Sequence, residues 1–320
     1  MPAPKISTED FIKLWNKYGS PERVAKAAGL TLRGVYERRR RIEETHGIDL
    51  ASFGSGAPMH NGDRQAHLTI APDSRNLKAN LTGTVVVFSD AHYWPGEPSD
   101  AHKALVRLVK KLKPAAIIAN GDVFDGARLS RHDPMGWQNP PSVREELDAA
   151  SDRMTEIERA SLNSKLFWCI GNHDLRFDRY LAQHASEFNA VPGTRLADHF
   201  PRWKMCWSLH INGHTVVKHS WHNGVHATYN NTLKGGTNVV TGHLHRLQIT
   251  AWGDYNGRRY GVDTGTLQAT DHEAFEYLQG NATPWGSGFA VLTFNDDGDM
   301  LPPELCEVVK GKAYFRGKEI

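Results

Sequence analysis

Apolar positions follow two different periods along this 320-residue chain. Between residues 7 and 46 the period is helical: Phe11, Leu14, Trp15 and Tyr18 form one stripe, Val24, Ala27 and Ala28 a second, and Leu32, Val35, Tyr36 and Ile42 a third. Ser20 followed by Pro21 supplies a cap and a proline at the first helical position, Gly29 ends the second helix, and Thr31 caps the third. Three short helices are therefore expected in a domain spanning 1–46, with Arg33, Arg38, Arg39, Arg40 and Arg41 turned outward. Residues 47–82 mix Gly, Ser, Pro, Asn and Asp with little periodicity and read as a linker, with one short strand around 67–70. From Thr84 onward, short apolar runs at 85–89, 115–120 and 166–170 end in polar loops and alternate with helical patterns at 99–113 and 142–163, a βαβαβ order. Further strand-like runs follow at 203–210, 215–219, 238–241, 247–252, 259–262 and 289–294, with few helices among them. A domain spanning 83–320 is expected.

Composition narrows the class. With 39% hydrophobic and 23% charged residues the chain can bury one to three cores, which excludes a disordered or fibrous protein. Its longest purely apolar runs are four or five residues, far below the ~18 to 20 that span a bilayer, and the N-terminus lacks the apolar segment of a secretion signal. A cytoplasmic protein without a membrane partner is expected. Cys169, Cys206 and Cys306 are odd in number and widely spaced, which suits a reducing compartment better than a disulfide framework or a cysteine zinc site. Residues 1–50 hold 10 Lys and Arg against 7 Asp and Glu, net +3, so the basic excess sits in the N-terminal segment. The small-residue, glycine, cap and arginine-rich order of residues 24–42 resembles a helix-turn-helix, which implies DNA as a partner; a packing or dimerisation module would show most of the same pattern.

The 17 histidines are more than packing requires, and several stand at ligand spacings. Polar residues follow the strand runs at Asp90-Ala91-His92, Gly121-Asp122-Val123-Phe124-Asp125, Gly171-Asn172-His173-Asp174, His219, and Gly242-His243-Leu244-His245. Open α/β sheets build their sites at these strand ends. Carboxylate and amide oxygens mixed with imidazoles, without thiolate, suit Mn²⁺, Fe or Zn²⁺ rather than Ca²⁺.

In this order, over residues 85–245, the five motifs resemble the calcineurin-like metallophosphoesterase family, and the arrangement is also similar to phosphoesterases encoded by bacteriophages. For the latter the cytoplasm would be that of the bacterial host. The resemblance implies a four-layer αββα sandwich, two mixed sheets face to face with helices outside, and two divalent ions, Mn²⁺ first, with Fe, Zn²⁺, Ni²⁺ or Mg²⁺ as alternatives. One ion would be held by Asp90, His92 and His245, the other by Asn172, His219 and His243, with Asp122 bridging. Two such ions ~3.5 to 4 Å apart make hydroxide from a shared water near neutral pH and clamp phosphoryl oxygens. The family pattern implies His173 as general acid; Asp174 beside it would orient the imidazole, and Asp125 would support the bridging loop. At the fourth ligand strand His222 competes with His219, since the glycine usual after this histidine is replaced by Ser220. Arg128, Arg131, His132, Arg176, Arg179 and Arg246 flank the motifs, and Arg128, His132 and Arg176 are the expected phosphate-gripping residues.

Protein Ser/Thr phosphatases of this family carry Arg where Gly126 stands and Glu where Asp174 stands, so both positions point away from that branch. Together with five arginines in nine residues they imply a phosphodiesterase acting on nucleic acid, a DNA nuclease. The rival expectation is a small-molecule or nucleotide phosphodiesterase or phosphatase whose N-terminal module forms a homodimer.

Overall fold

A computed structural model describes residues 6–18, 21–46, 50, 75–131 and 139–320, which divide into two compact units within 1–68 and 69–320.

The first unit has helices α1 (Thr8–Tyr18), α2 (Pro21–Ala28) and α3 (Leu32–His46). Ser7 caps α1 by accepting the Asp10 N–H at 3.1 Å, and Thr31 caps α3 by accepting the Gly34 N–H at 3.1 Å. Phe11, Trp15, Val24, Val35, Ile42 and Leu50 make the core. The expected faces of α3 need correction. Leu32 and Tyr36 are exposed, whereas Arg38 and Arg39 are half-buried. On a helix, positions 35, 38, 39 and 42 share one stripe, so the two arginines flank the buried Val35 and Ile42. The Arg38 guanidinium lies over the Phe11 ring at 5.6 Å and donates to the Ile6 carbonyl; Arg39 covers Trp15 at 5.0 Å and pairs with Glu43 at 2.8 Å. Arg33, Arg40 and Arg41 are exposed, Arg33 paired with Glu37. The expected cap Ser20 and the expected strand at 67–70 lie outside the described residues.

The second unit is built on two sheets. Strands β1 (Asn76–Ala79) and β2 (Gly83–Phe88) come first, then α4 (Asp100–Leu112), β3 (Ala116–Ala119), α5 (Val143–Ala160), β4 (Lys165–Cys169), α6 (Asp174–His184) and α7 (Leu196–His199). Next are β5 (Lys204–Cys206), β6 (Ser208–Ile211), β7 (Thr215–Val217), α8 (Ala227–Gly235), β8 (Asn238–Thr241), β9 (Leu247–Asp254) and β10 (Gly257–Thr264). The chain ends with β11 (Gly288–Phe294), β12 (Glu304–Val309), β13 (Lys312–Phe315) and β14 (Lys318–Glu319). The eight-stranded sheet runs β14-β13-β12-β11-β2-β3-β4-β5, parallel from β2 to β5; the six-stranded sheet runs β1-β6-β7-β8-β10-β9.

Alternation along the central strands separates two cores. Val86, Phe88, Ile117, Ala119 and Trp168 pack under α4 and α5, while Val85, Val87, Ala116, Ile118, Phe167 and Cys169 face Leu209, Val217, Val240 and Val262 of the other sheet. The order of layers is helices, sheet, sheet, helix, as expected, with α8 covering the six-stranded sheet. Ser99 caps α4, and a Ser142–Glu145 capping box starts α5.

Two boundaries differ from expectation. Residues 76–79, read as the end of the linker, pair in parallel with β6. The run 203–210, read as one strand, breaks at Trp207, where the N–H groups of Trp207 and Ser208 both turn to the Arg75 carbonyl. Its halves join different sheets. All three cysteines are buried thiols, Cys169 and Cys206 facing each other at 3.7 Å.

Candidate metal centre

Five loops at strand ends converge. The loops after β2 and β3 are zipped by backbone bonds from Asp90, His92 and Tyr93 N–H to the carbonyls of Gly121, Asp122 and Val123 at 2.9 to 3.0 Å. Asp90, His92, Asp122, His243 and His245 all have positive φ, between 40° and 72°, a conformation that side chains rarely adopt. Its concentration on these positions marks a site where backbone strain is accepted to aim side chains inward. Two motif glycines are required for close approach: a Cβ on Gly121 would lie 2.3 Å from His219 Nδ1, and one on Gly171 2.1 Å from Asp122 Oδ1.

Two ligand-type groups result. Asp90, His92 and His245 converge in one, Asp122, His219 and His243 in the other, the donor atoms of each within 4.8 Å of one another. His219, rather than His222, joins Asp122; the His222 ring lies tilted against Trp221 at 4.8 Å. Asn172 is exposed on the turn between Gly171 and His173, and the His173 N–H donates to Asp122 Oδ1 at 2.8 Å.

The donor chemistry fits divalent cations. His92 Nδ1 donates to Asp125 Oδ1 at 2.9 Å and His219 Nδ1 to the Asn120 carbonyl at 2.7 Å, which leaves both Nε2 atoms as lone-pair donors. Asp90 Oδ1, His92 Nε2 and His219 Nε2 are buried without a hydrogen-bond partner. His219 Nε2 lies 3.0 Å from Asp122 Oδ2, and His245 Nε2 3.1 Å from Asp90 Oδ1. Burial alone would strip His219 of a proton, but the Asp122 and Asp90 carboxylates push its imidazole up to about 10. A cation shared by these groups answers the same concentration of negative charge.

Asp125 joins two of the histidines. Its Oδ1 accepts from His173 Nδ1 at 2.7 Å as well as from His92, and its Oδ2 accepts from the Trp94 indole at 3.2 Å. Although burial raises a carboxyl, the hydrogen bonds from His173 and His92 hold Asp125 far below the usual range. Burial disfavours a proton on His173, and Asp122 and Asp125 outweigh it, so this imidazole keeps its proton to higher pH than an ordinary histidine.

A family model described as calcineurin-like phosphoesterase matches residues 83–268, more than half of the chain. The chain belongs to the calcineurin-like phosphoesterase family. It is similar to the Gene 54 protein of Mycobacterium phage D29, 26% identical over 262 residues that cover 74% of this chain and 98% of the relative. It is also similar to the Gene 54 protein of Mycobacterium phage L5, 24% identical with the same coverage. Among solved structures, one of a novel archaeal phosphodiesterase has a TM-score of 0.35 at 12% identity, covering 70% of this chain and 99% of that one. This phosphoesterase is thus a hydrolase of phosphoric esters, of a family that uses a dinuclear divalent metal site.

The phosphoesterase departs from expectation at Asp174. That carboxylate does not orient His173. It accepts the N–H groups of Gly171, Asp122, Val123 and Phe124 and the Trp168 indole, all at 2.9 to 3.1 Å, because its place at the start of α6 turns it into the bend carrying Asp122. Asp174 clamps two loops; Asp125 orients the histidine.

Arg176 donates to the Asp125 carbonyl at 3.0 Å and lies 3.2 Å from His173 Nε2. Arg128 instead holds Pro141 O and Asn139 Oδ1 at 3.1 and 3.0 Å, and Arg246 donates to Gly224 O at 2.7 Å. His132 lies outside the described residues. Sequence reasoning missed the loop after β10, where Thr266 donates to Asp90 O at 2.7 Å and Gln268 to His92 O at 3.2 Å. It also missed Glu146, whose carboxyl accepts the N–H groups of Gly126 and Ala127. Among the described residues no helix is long and apolar enough to cross a membrane.

Proposed function

We propose that this phosphoesterase is a nucleic-acid-directed phosphodiesterase, a DNA nuclease, working with two Mn²⁺ ions. The observation that carries the reading is the His173–Asp125 pair at 2.7 Å beside the ligand groups. An alkoxide such as a nucleoside oxygen leaves poorly without a proton, and a histidine backed by a carboxylate is the group that delivers one. In this reading Asp90, His92 and His245 would hold one cation, Asn172, His219 and His243 the other, and Asp122 would serve both. Bound there, the ions would supply Lewis-acid charge and lower the pKa of a water. His173 Nε2 protonates the leaving oxygen, Arg176 steadies a phosphoryl oxygen, and Asp174 fixes the loops that carry Asp122 and His173. Arg33, Arg40 and Arg41, all exposed on α3, would meet the DNA backbone.

The test is a panel in Mn²⁺ of linear and supercoiled DNA, RNA, cyclic nucleotides and an aryl phosphodiester. DNA cleavage abolished by Asp122→Asn is expected; hydrolysis confined to cyclic nucleotides or monoesters would overturn the nuclease reading. A second reading, a small-molecule phosphodiesterase with a dimerising N-terminal unit, is favoured by one observation: Leu32 and Tyr36 are exposed side by side on α3. Under it, deleting residues 1–50 leaves specific activity on the true substrate intact.

A further inference from the structure

The segment between β10 and β11 contributes rings as well as backbone bonds. Its 3₁₀ turn (Glu273–Leu278) carries Phe275 and Tyr277 two residues apart, so with three residues per turn their side chains diverge. Phe275 is buried, 5.4 Å from the His92 ring and 5.2 Å from that of His245. Trp285 packs on His245 at 4.3 Å and on Phe275 at 4.9 Å. Tyr277 meets Phe275 edge-on at 6.4 Å yet stays 54% exposed. The loop after β2 supplies Trp94, its indole held by Asp125 and packed edge-on against His272 at 5.6 Å.

Packing against the ligand histidines explains Phe275, whose ring is spent on that contact. It leaves the Tyr277 ring, edge-on to Phe275, with more than half of its surface in water beside that cluster.

We propose that Tyr277, backed by Phe275, is the seat on which a nucleobase next to the scissile phosphate stacks. Every base has a π-face, so such a seat selects nucleotide esters over alkyl esters without reading sequence. The inference rests on the phosphodiesterase reading and narrows its substrate to esters bearing a base within one nucleoside of the cut.

The test compares thymidine 5′-(4-nitrophenyl) phosphate with methyl 4-nitrophenyl phosphate, which share a leaving group and differ in carrying a nucleoside or a methyl group. Base stacking of the usual strength makes kcat/KM for the thymidine ester ~5- to 150-fold higher in the wild type. Tyr277→Ala should erase most of that ratio, its loss on the thymidine ester exceeding its loss on the methyl ester, and Tyr277→Phe should retain it. Calorimetric titration with thymidine 5′-monophosphate and with deoxyribose 5-phosphate reads the same preference without turnover. A wild-type ratio near one, or equal losses in Tyr277→Ala on both esters, overturns the seat while the phosphodiesterase reading stands. If neither ester is cleaved but the monophosphate binds more tightly in a Tyr277-dependent way, the phosphodiesterase reading falls and the seat stands.

Discussion

Replacing Asp125 by Asn isolates the residue on which two histidines depend. Its Oδ1 takes imidazole N–H groups from His173 and His92 at 2.7 and 2.9 Å, and its Oδ2 takes the Trp94 indole N–H at 3.2 Å. An amide has one acceptor oxygen. If that oxygen keeps the two histidines, the amide NH₂ faces the indole N–H, donor against donor, at a cost of ~1 to 3 kcal/mol. The two retained bonds also lose their charge assistance, which is worth about half their strength. Since His92 Nδ1 sets which nitrogen is free to ligate, cation affinity should fall about 10- to 100-fold. His173 loses one of the two carboxylates that hold its proton, so its pKa drops and the protonated acid disappears at lower pH. The alkaline limb of kcat/KM against pH should therefore shift to lower pH, most visibly for substrates with alkoxide leaving groups. Equilibrium dialysis against Mn²⁺ and pH profiles on DNA measure both effects. Asp174→Asn, which loosens a clamp of five donors, should instead lower Tm. Wild-type Mn²⁺ affinity together with an unmoved alkaline limb in Asp125→Asn would refute the assignment of Asp125 as the orienting group.

Asp122→Asn should lower the content of both cations together, as read by elemental analysis, because this carboxylate faces both His219 and the loop of His173. His173→Asn should keep the metals and lose roughly 10²- to 10⁴-fold in turnover on DNA, and less on nitrophenyl esters, whose leaving group departs without a proton. Burial and the Asp125 charge push Glu146 up to about 8 against an ordinary 4.5, so the folded state holds a proton that the unfolded chain has released. Its contribution to stability is full below about 4.5 and lost as pH rises to about 8; thermal melts of Glu146→Gln should lack that part of the decline. Neutralising Arg33, Arg40 and Arg41 should raise KM for DNA and flatten the salt dependence by ~0.9 per lost phosphate contact, whereas Arg38→Ala with Arg39→Ala should lower the Tm of the N-terminal unit.

Asp90, His92, Asp122, His219, His243 and His245, which converge in two groups, were legible because they follow apolar runs, and strand ends are where α/β sheets assemble sites. Their geometry was not. Nothing in Gly-Asp or Gly-His-Leu-His announces that Asp122, His243 and His245 take positive φ, since that follows from loops pressing on one another across the sheet. The roles of Asp125 and Asp174 were exchanged for a related reason: adjacency in sequence suggested that Asp174 serves His173, but a residue at the start of α6 points back to the N–H groups of neighbouring loops. Asp125 reaches the same imidazole from 48 positions away. The strands from β12 to β14 escaped notice because they are short and mix charged with apolar residues at a sheet edge, a pattern shared with polar tails.

The arginine run of α3 shows why a charge cluster is not yet a binding face. Successive helical residues are 100° apart, so Arg38, Arg39, Arg40 and Arg41 sweep around most of the helix and cannot all meet one ligand. Two of them fall on the stripe of Val35 and Ile42, where their stems and flat guanidinium groups cover Phe11 and Trp15 while the charges meet Ile6 and Glu43 at the rim. The exposed arginines are Arg33, itself paired with Glu37, Arg40 and Arg41, and three contacts would bound this helix's part of the salt slope at roughly 2.7. A steeper slope from the N-terminal unit would require cations beyond α3, so the measured slope separates a nucleic-acid arm from a helix whose arginines mainly pack.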